Sequence, residues 1–262
     1  MKVLIKLGGT LLDSVESRSR LAQEIAAVAR DGHKVVVVHG GGKQMTRYLA
    51  AHGIDSTFVN GLRITTSEVL DGVLKIFAGT VNTELVAAFV AAGAAAVGLT
   101  GIDGLLAEAE PMSPELGFVG RTVDSDARLL ELLTGYGYLP VVACIAGDRR
   151  GQIYNVNADL MAVACAAGFG ADRLMFLTDV DGVRGPNNET LSSLTPEQSA
   201  DLISSGVATG GMQAKLSAAT EALLRGVGEV AIAPGALTGV VKKLMAGEAI
   251  GTRFVAIRAM SR

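Results

Sequence analysis

The sequence predicts an α/β fold in which a mainly parallel sheet is covered by helices on both faces, and three observations point to it. Short apolar runs alternate with longer stretches of helical period along the whole chain. The runs are continuously apolar, as in Val35 to Val38, which suits strands buried on both sides. Glycines 32, 53, 93 and 226 fall where the intervening helices are expected to stop.

In order, the strand VLIKL precedes a helix from Ser14 to Arg30, and KVVVVH precedes a helix from Lys43 to Ala51. A helix starting near Ser67 leads to the strand AAVGL, and one from Asp126 to Thr134 leads to LPVVACI. The second half continues the rhythm: a helix from Ala158 to Ala167, the strand RLMFLT, helices Pro196 to Ser204 and Met212 to Arg225, then the strands EVAIA and RFVAI. Only Gly104 to Asp124 resembles a hairpin insertion or lid, and a lobe boundary is expected near residue 170.

The 262 residues are 49% apolar and 19% charged, enough for a large core in one domain or two lobes sharing a sheet. A net charge of -3 and a pI near 5.7 create no basic field for nucleic acid or an anionic membrane, so small molecules are the expected partners. Cys144 and Cys165 lie in apolar stretches, with no disulfide framework and no metal-binding spacing; they read as core thiols of a cytoplasmic protein. The N-terminus has too short an apolar run for a secretory signal and reads as a strand. Leu85 to Ile102 is uncharged and close to the length of a membrane span, but Gly93 divides it into a helix end and a short strand.

The polar motifs cluster where apolar runs end. Lys6 lies inside the first strand, where an unpaired ammonium is costly, and Gly8 and Gly9 follow it with backbone able to approach a ligand; a phosphate-facing lysine accounts for both, a structural salt bridge for the charge alone. His39 to Lys43 (HGGGK) has the strand, glycine turn, helix order of an anion site without being a dinucleotide or P-loop fingerprint. In Asn60 to Thr65 (NGLRIT), Arg63 follows a glycine turn and is a candidate for a substrate carboxylate, with Thr65, Thr66 or Ser67 capping the next helix. Asn155 to Asp159 (NVNAD) enters an apolar helix; capping by Asn157 leaves Asn155 and Asp159 over, and an acidic residue orienting two lysines accounts for them. Leu177 to Val183 (LTDVDGV) runs from a strand into a polar turn. Lys215 follows Gly210 and Gly211 at a helix start, where the dipole disfavours a cation unless an anion binds there.

These motifs, in this order, resemble the amino-acid kinase family, from KLGG at Lys6 to GTRF ending at Phe254, so the resemblance covers essentially the whole chain. NGLRIT and NVNAD resemble the members that act on N-acetylglutamate; the others are shared more widely. The resemblance implies a three-layer αβα sandwich, with residues 1–170 binding the acylglutamate and forming a homodimer, and 171–262 binding ATP. Lys6 and Lys215 resemble the lysines that stabilise the transferring phosphoryl group, and Asp159 the aspartate that holds them. Gly41, Gly42, Arg63 and Asn155 resemble the substrate-binding set. Gly8, Gly9, Thr178, Asp179, Val180, Asp181, Gly182, Val183, Gly210 and Gly211 fall where nucleotide contacts are expected. No dedicated metal cage is expected, which suits Mg²⁺ carried by the nucleotide. The chain starts at its first strand, from which the resemblance implies a dimer insensitive to arginine. Kinases acting on N-succinylglutamate, carrier-bound aminoadipate, carbamate or aspartate remain alternatives, as does a non-catalytic amino-acid or nucleotide sensor.

Overall fold

The computed structural model describes residues 1–255. In chain order its strands are β1 (Lys2–Leu7), β2 (Lys34–His39), β3 (Phe58–Val59), β4 (Leu62–Arg63), β5 (Ala95–Thr100), β6 (Glu108–Pro111) and β7 (Val119–Asp124). They continue with β8 (Tyr138–Ala143), β9 (Ile145–Gly147), β10 (Ile153–Val156), β11 (Arg173–Thr178), β12 (Ser193–Leu194), β13 (Glu229–Pro234) and β14 (Thr252–Phe254). The helices are α1 (Val15–Arg30), α2 (Gly42–Ala51), α3 (Ser67–Val73), α4 (Asn82–Ala91), α5 (Arg128–Gly135), α6 (Ala158–Phe169), α7 (Pro196–Ser204), α8 (Gly210–Leu224) and α9 (Val240–Met245).

Eight strands form one sheet in the order β12-β14-β13-β11-β1-β2-β8-β5, parallel except where β14 runs against β13. Alternate residues of a strand face opposite ways, and here both faces are covered. Leu4, Val36 and Val38 join one core with Met161, Val163, Leu216 and Ala219 of α6 and α8. Val3, Ile5, Leu7, Val35 and Val37 join the other with residues of α1, α4 and α9. The parity has a chemical consequence: Lys6, two residues after Leu4, faces the α6 and α8 layer.

Local chemistry explains the helix starts. Ser14 accepts from Ser17 N–H, Thr66 from Val69 N–H, and Asn157 from Asp159 and Leu160 N–H. The four stop glycines all take positive φ, between 68° and 91°. Three features differ from the sequence reading. The helix starting at Ser67 continues to Ala91 through a π-helical turn, Leu74–Val81, which periodicity alone does not reveal. The segment after Gly104 is a hairpin, β6 and β7, closed with β9 and β10 into a small barrel rather than standing free as a lid. The eighth helix begins at Gly210 rather than Met212, so Gly210 and Gly211 form its first turn. The last two residues of RFVAI lie outside the described residues. Ser67–Ala91 is also long and apolar enough to cross a membrane; its Phe77, Val81, Leu85 and Phe89 are buried in the protein.

Candidate active site

The parallel strands end level with one another: Leu7 is in register with His39 and Leu177, and His39 with Ala143. The turns Gly8–Gly9, Gly40–Gly42 and Thr178–Val183 therefore leave one sheet edge together, which is where open α/β sheets bind ligands. The first and third of these turns touch. Gly9 has φ 64°, and a Cβ there would lie 2.9 Å from Asp179 Oδ2, so only glycine lets the two turns close on each other.

A cleft of about 200 Å³ opens at this edge. Lys6, Gly8, Gly9, Gly41, Gly42, Arg63 and Asn155 all line it, although they come from four separate stretches of chain. Its apolar wall includes Leu12, Phe77 and Val119. The β3–β4 hairpin crosses it, its two-residue tip made possible by Asn60 at φ 49° and Gly61 at φ 79°.

Arg63 is buried at the base of that hairpin and held from three sides. Its guanidinium donates to Ser56 Oγ, to Thr46 Oγ1 at 2.9 Å and to the Gly42 carbonyl at 3.2 Å, and it lies 4.6 Å from the Phe58 ring centroid. Burial lowers its pKa, and among the described residues no carboxylate pairs with it. A buried guanidinium oriented only by neutral groups is prepared for an anionic partner from outside. Asn155, the other polar group of this wall, donates to Thr65 Oγ1 at 3.0 Å.

The second half of the site begins four residues further along the chain, where β10 gives way to α6. Asp159, in the first turn of α6, forms an ion pair with Lys6, whose Nζ lies 2.7 Å from Oδ1, and accepts a hydrogen bond from Lys215 Nζ at 3.1 Å on Oδ2. All three side chains are largely buried, with 8%, 7% and 17% exposure for Lys6, Asp159 and Lys215. Burial by itself would raise the Asp159 pKa; the two lysines outweigh it, through charge and then hydrogen bonding, and hold the carboxyl below its ordinary value. One carboxylate thus faces two ammonium groups, leaving a local net positive charge. A second cavity of about 240 Å³ is lined by Lys6, Asp159, Lys215, Gly210 and Gly211. It shares Lys6, Gly61, Leu62, Asn157 and Ala158 with the first, so the two cavities meet at Lys6 and the hairpin tip.

Of the predicted nucleotide turn, Thr178 to Val183, no residue lines either cavity. Val183 is fully buried and donates its N–H to Thr252 Oγ1 at 2.8 Å, which ties this end of the turn to β14. Sequence reasoning missed Thr46, Ser56 and Phe77. The first two orient Arg63 from 17 and 7 residues away in sequence, and nothing local marks them. Cys144 also lines the first cavity, but burial pushes its thiol up to about 12, so it contributes an apolar, protonated wall.

The sequence pattern of the amino acid kinase family matches residues 1–234. The acetylglutamate kinase of Solibacter usitatus is 62% identical over 255 residues, covering 97% of this chain and 99% of that protein. The acetylglutamate kinase of Acidobacterium capsulatum is 46% identical, covering 93% and 95%. Among solved structures, a protein of Streptococcus mutans superposes with a TM-score of 0.84 at 26% identity, over 97% and 98% of the two chains. The N-acetylglutamate synthase of Neisseria gonorrhoeae, complexed with coenzyme A and N-acetyl-glutamate, superposes with a TM-score of 0.86 at 24% identity over 59% of its length, a likeness of fold.

Proposed function

The chain belongs to the amino acid kinase family, and on that premise we propose that it joins N-acetyl-L-glutamate and ATP to give N-acetylglutamyl 5-phosphate and ADP, a step of arginine biosynthesis. It is a phosphotransferase with a carboxyl group as acceptor. The observation that carries the reading of the site is the junction of two cavities, one with an unpaired arginine and the other with two lysines on one aspartate.

The acceptor carboxylate is ionised at neutral pH and needs no strong base. What the site has to supply is alignment of two anions and neutralisation of charge on the phosphoryl oxygens. We assign one acceptor carboxylate to Arg63, with Asn155 and the N–H groups of Gly41 and Gly42 completing that side. Lys6 and Lys215 face the phosphoryl group, and Asp159 holds both in place as a positioning residue. Gly8, Gly9, Gly210 and Gly211 offer backbone to the phosphates; Thr178, Asp179, Val180, Asp181 and Gly182 belong to the nucleotide side, with Val183 anchoring them. Asp159 is engaged by two lysines and is no metal ligand, so Mg²⁺ is assigned to the nucleotide, where it would neutralise phosphate charge. Residues 1–170 form the acceptor lobe and 171–262 the nucleotide lobe of one continuous sheet, acting in the cytoplasm.

ADP formation dependent on N-acetylglutamate, compared with N-succinylglutamate, free glutamate and aminoadipate, tests the reaction; equal rates with every acid would overturn the assignment. In the same assay Arg63→Ala is expected to raise KM for N-acetylglutamate by roughly ten- to a hundred-fold, the worth of one charge-assisted contact, and to leave KM for ATP unchanged. A selective rise in KM for ATP would move Arg63 to the nucleotide side.

The homodimer is assigned to the β5 end of the sheet. There, among the described residues, β5 pairs only with β8, and Val90 of α4, Leu132 of α5, Tyr136 just after α5 and Tyr138 of β8 expose large apolar surface. Sedimentation is expected to give a dimer, and Val90→Asp with Tyr136→Asp a monomer; a monomeric wild type would remove the assignment.

A further inference from the structure

His39 and Asn82 are wholly or almost wholly buried polar groups that the reaction scheme leaves unused. His39 ends β2, directly before the Gly40–Gly42 turn, and Asn82 follows the π-helical turn. His39 Nδ1 lies 2.8 Å from the Gly40 carbonyl oxygen, and Nε2 lies 2.9 Å from Asn82 Nδ2. A carbonyl can only accept, so Nδ1 carries the proton and Nε2 is the acceptor. Asn82 agrees with this from its other side: its Nδ2 also donates to the Val141 carbonyl at 2.9 Å, which fixes the amide nitrogen toward both acceptors. Burial keeps the ring neutral, pushing its pKa down to about 4 despite the Gly40 contact.

The consequence lies in one peptide plane. In a trans peptide the carbonyl and the following N–H point in opposite directions. With the Gly40 carbonyl drawn to His39 on the buried side, the Gly41 N–H points away from His39, toward the cleft that Gly40, Gly41 and Gly42 line. Among the described residues that N–H donates to no protein acceptor. The π-helical turn supports the same loop from above, since a Cβ at Gly41 would come within 2.8 Å of Phe77 Cδ1.

We propose that His39 and Asn82 are positioning residues for acceptor binding: Asn82 selects the Nδ1–H tautomer of His39, and that tautomer pins the Gly40 carbonyl so that the Gly41 N–H faces the acceptor. The proposal rests on the reading that this cleft takes the acylglutamate. Two variants separate the pinning bond from mere packing. His39→Asn keeps an N–H at the position of Nδ1, whereas His39→Leu is of similar size and keeps none; both lose the acceptor for Asn82. His39→Leu is expected to raise KM for N-acetylglutamate about tenfold or more with KM for ATP unchanged, and His39→Asn to stay within about threefold of wild type for both. Equal losses in the two variants, or an unchanged acceptor KM in His39→Leu, would overturn the proposal. Long-range ¹H–¹⁵N spectra of the ¹⁵N-histidine-labelled wild type give a readout that needs no variant to be stable. The Nδ1–H tautomer is expected for the buried ring, and an Nε2–H tautomer would overturn the proposal. A wild type that turns over ATP without dependence on N-acetylglutamate would instead overturn the reading of the reaction.

Discussion

Lys215→Ala is expected to lower kcat by on the order of 100-fold or more, about 3 kcal/mol of transition-state stabilisation, with much smaller changes in either KM. Negative charge shifts among the phosphoryl oxygens as transfer proceeds, so an ammonium aimed at them gains more in the transition state than in the bound ground state. Lys215 is suited to this because it is positioned in advance: its ion pair to Asp159 Oδ2 holds it at the wall of the second cavity beside Gly210 and Gly211. Lys215 is the sixth residue of α8, in its second turn, so the helix dipole taken alone makes its removal at most slightly stabilising. The ion pair reverses the sign, because Asp159 is only 7% exposed and would keep a single partner. A modest loss of stability is therefore expected, with the fold intact by circular dichroism. A variant that keeps wild-type kcat would show that Lys215 is structural.

Asp159→Asn is expected to have the larger effect on stability. The amide keeps the shape but not the charge, and two ammonium groups, 8% and 17% exposed, are left facing each other in the protein. Breaking a buried ion pair from one side costs about 3 to 5 kcal/mol, or roughly 6 to 20 °C in Tm for a chain of this size. Activity should fall at least as far as in Lys215→Ala, since both lysines lose their support. The pH dependence follows from the depressed pKa of Asp159. A carboxyl whose folded pKa lies below its unfolded value of about 3.9 stabilises fully above that value and loses the contribution as pH falls through the folded pKa. The stability difference between wild type and variant should therefore be constant from neutral pH down to about pH 4 and shrink only below it. A difference that already shrinks between pH 7 and pH 5 would mean that the lysines do not hold Asp159 ionised as described.

Much of the site was legible in the sequence because its chemistry conflicts with its surroundings. Lys6 inside an apolar strand and Asp159 inside an apolar helix are each unfavourable alone, and the fold resolves both conflicts in one contact of 2.7 Å. Glycine turns after β1 and β2 were visible for the same kind of reason, since a run of glycines weakens any structure it does not serve. Arg63 was visible only as a member of a motif. What orients its guanidinium is Thr46 and Ser56, which reach it across the fold from positions with no local signature.

The sequence by itself determined the strand and helix alternation, the helix stops and the identity of the charged groups, because these depend on periodicity, caps and the cost of burying charge over a few residues. Tertiary structure alone decided which groups meet. The parity of β1 turns Lys6 toward α6 and α8, the common register of β1, β2, β8 and β11 brings the turns to one edge, and the β3–β4 hairpin bridges the two cavities. It also decided the π-helical turn that delivers Phe77 and Asn82 to the Gly40–Gly42 turn. A π turn is set by the packing of a continuous helix against a particular glycine loop, and although Leu74 to Val81 contains Gly79 and Thr80, weak helix formers, neither specifies a π turn over an ordinary helix.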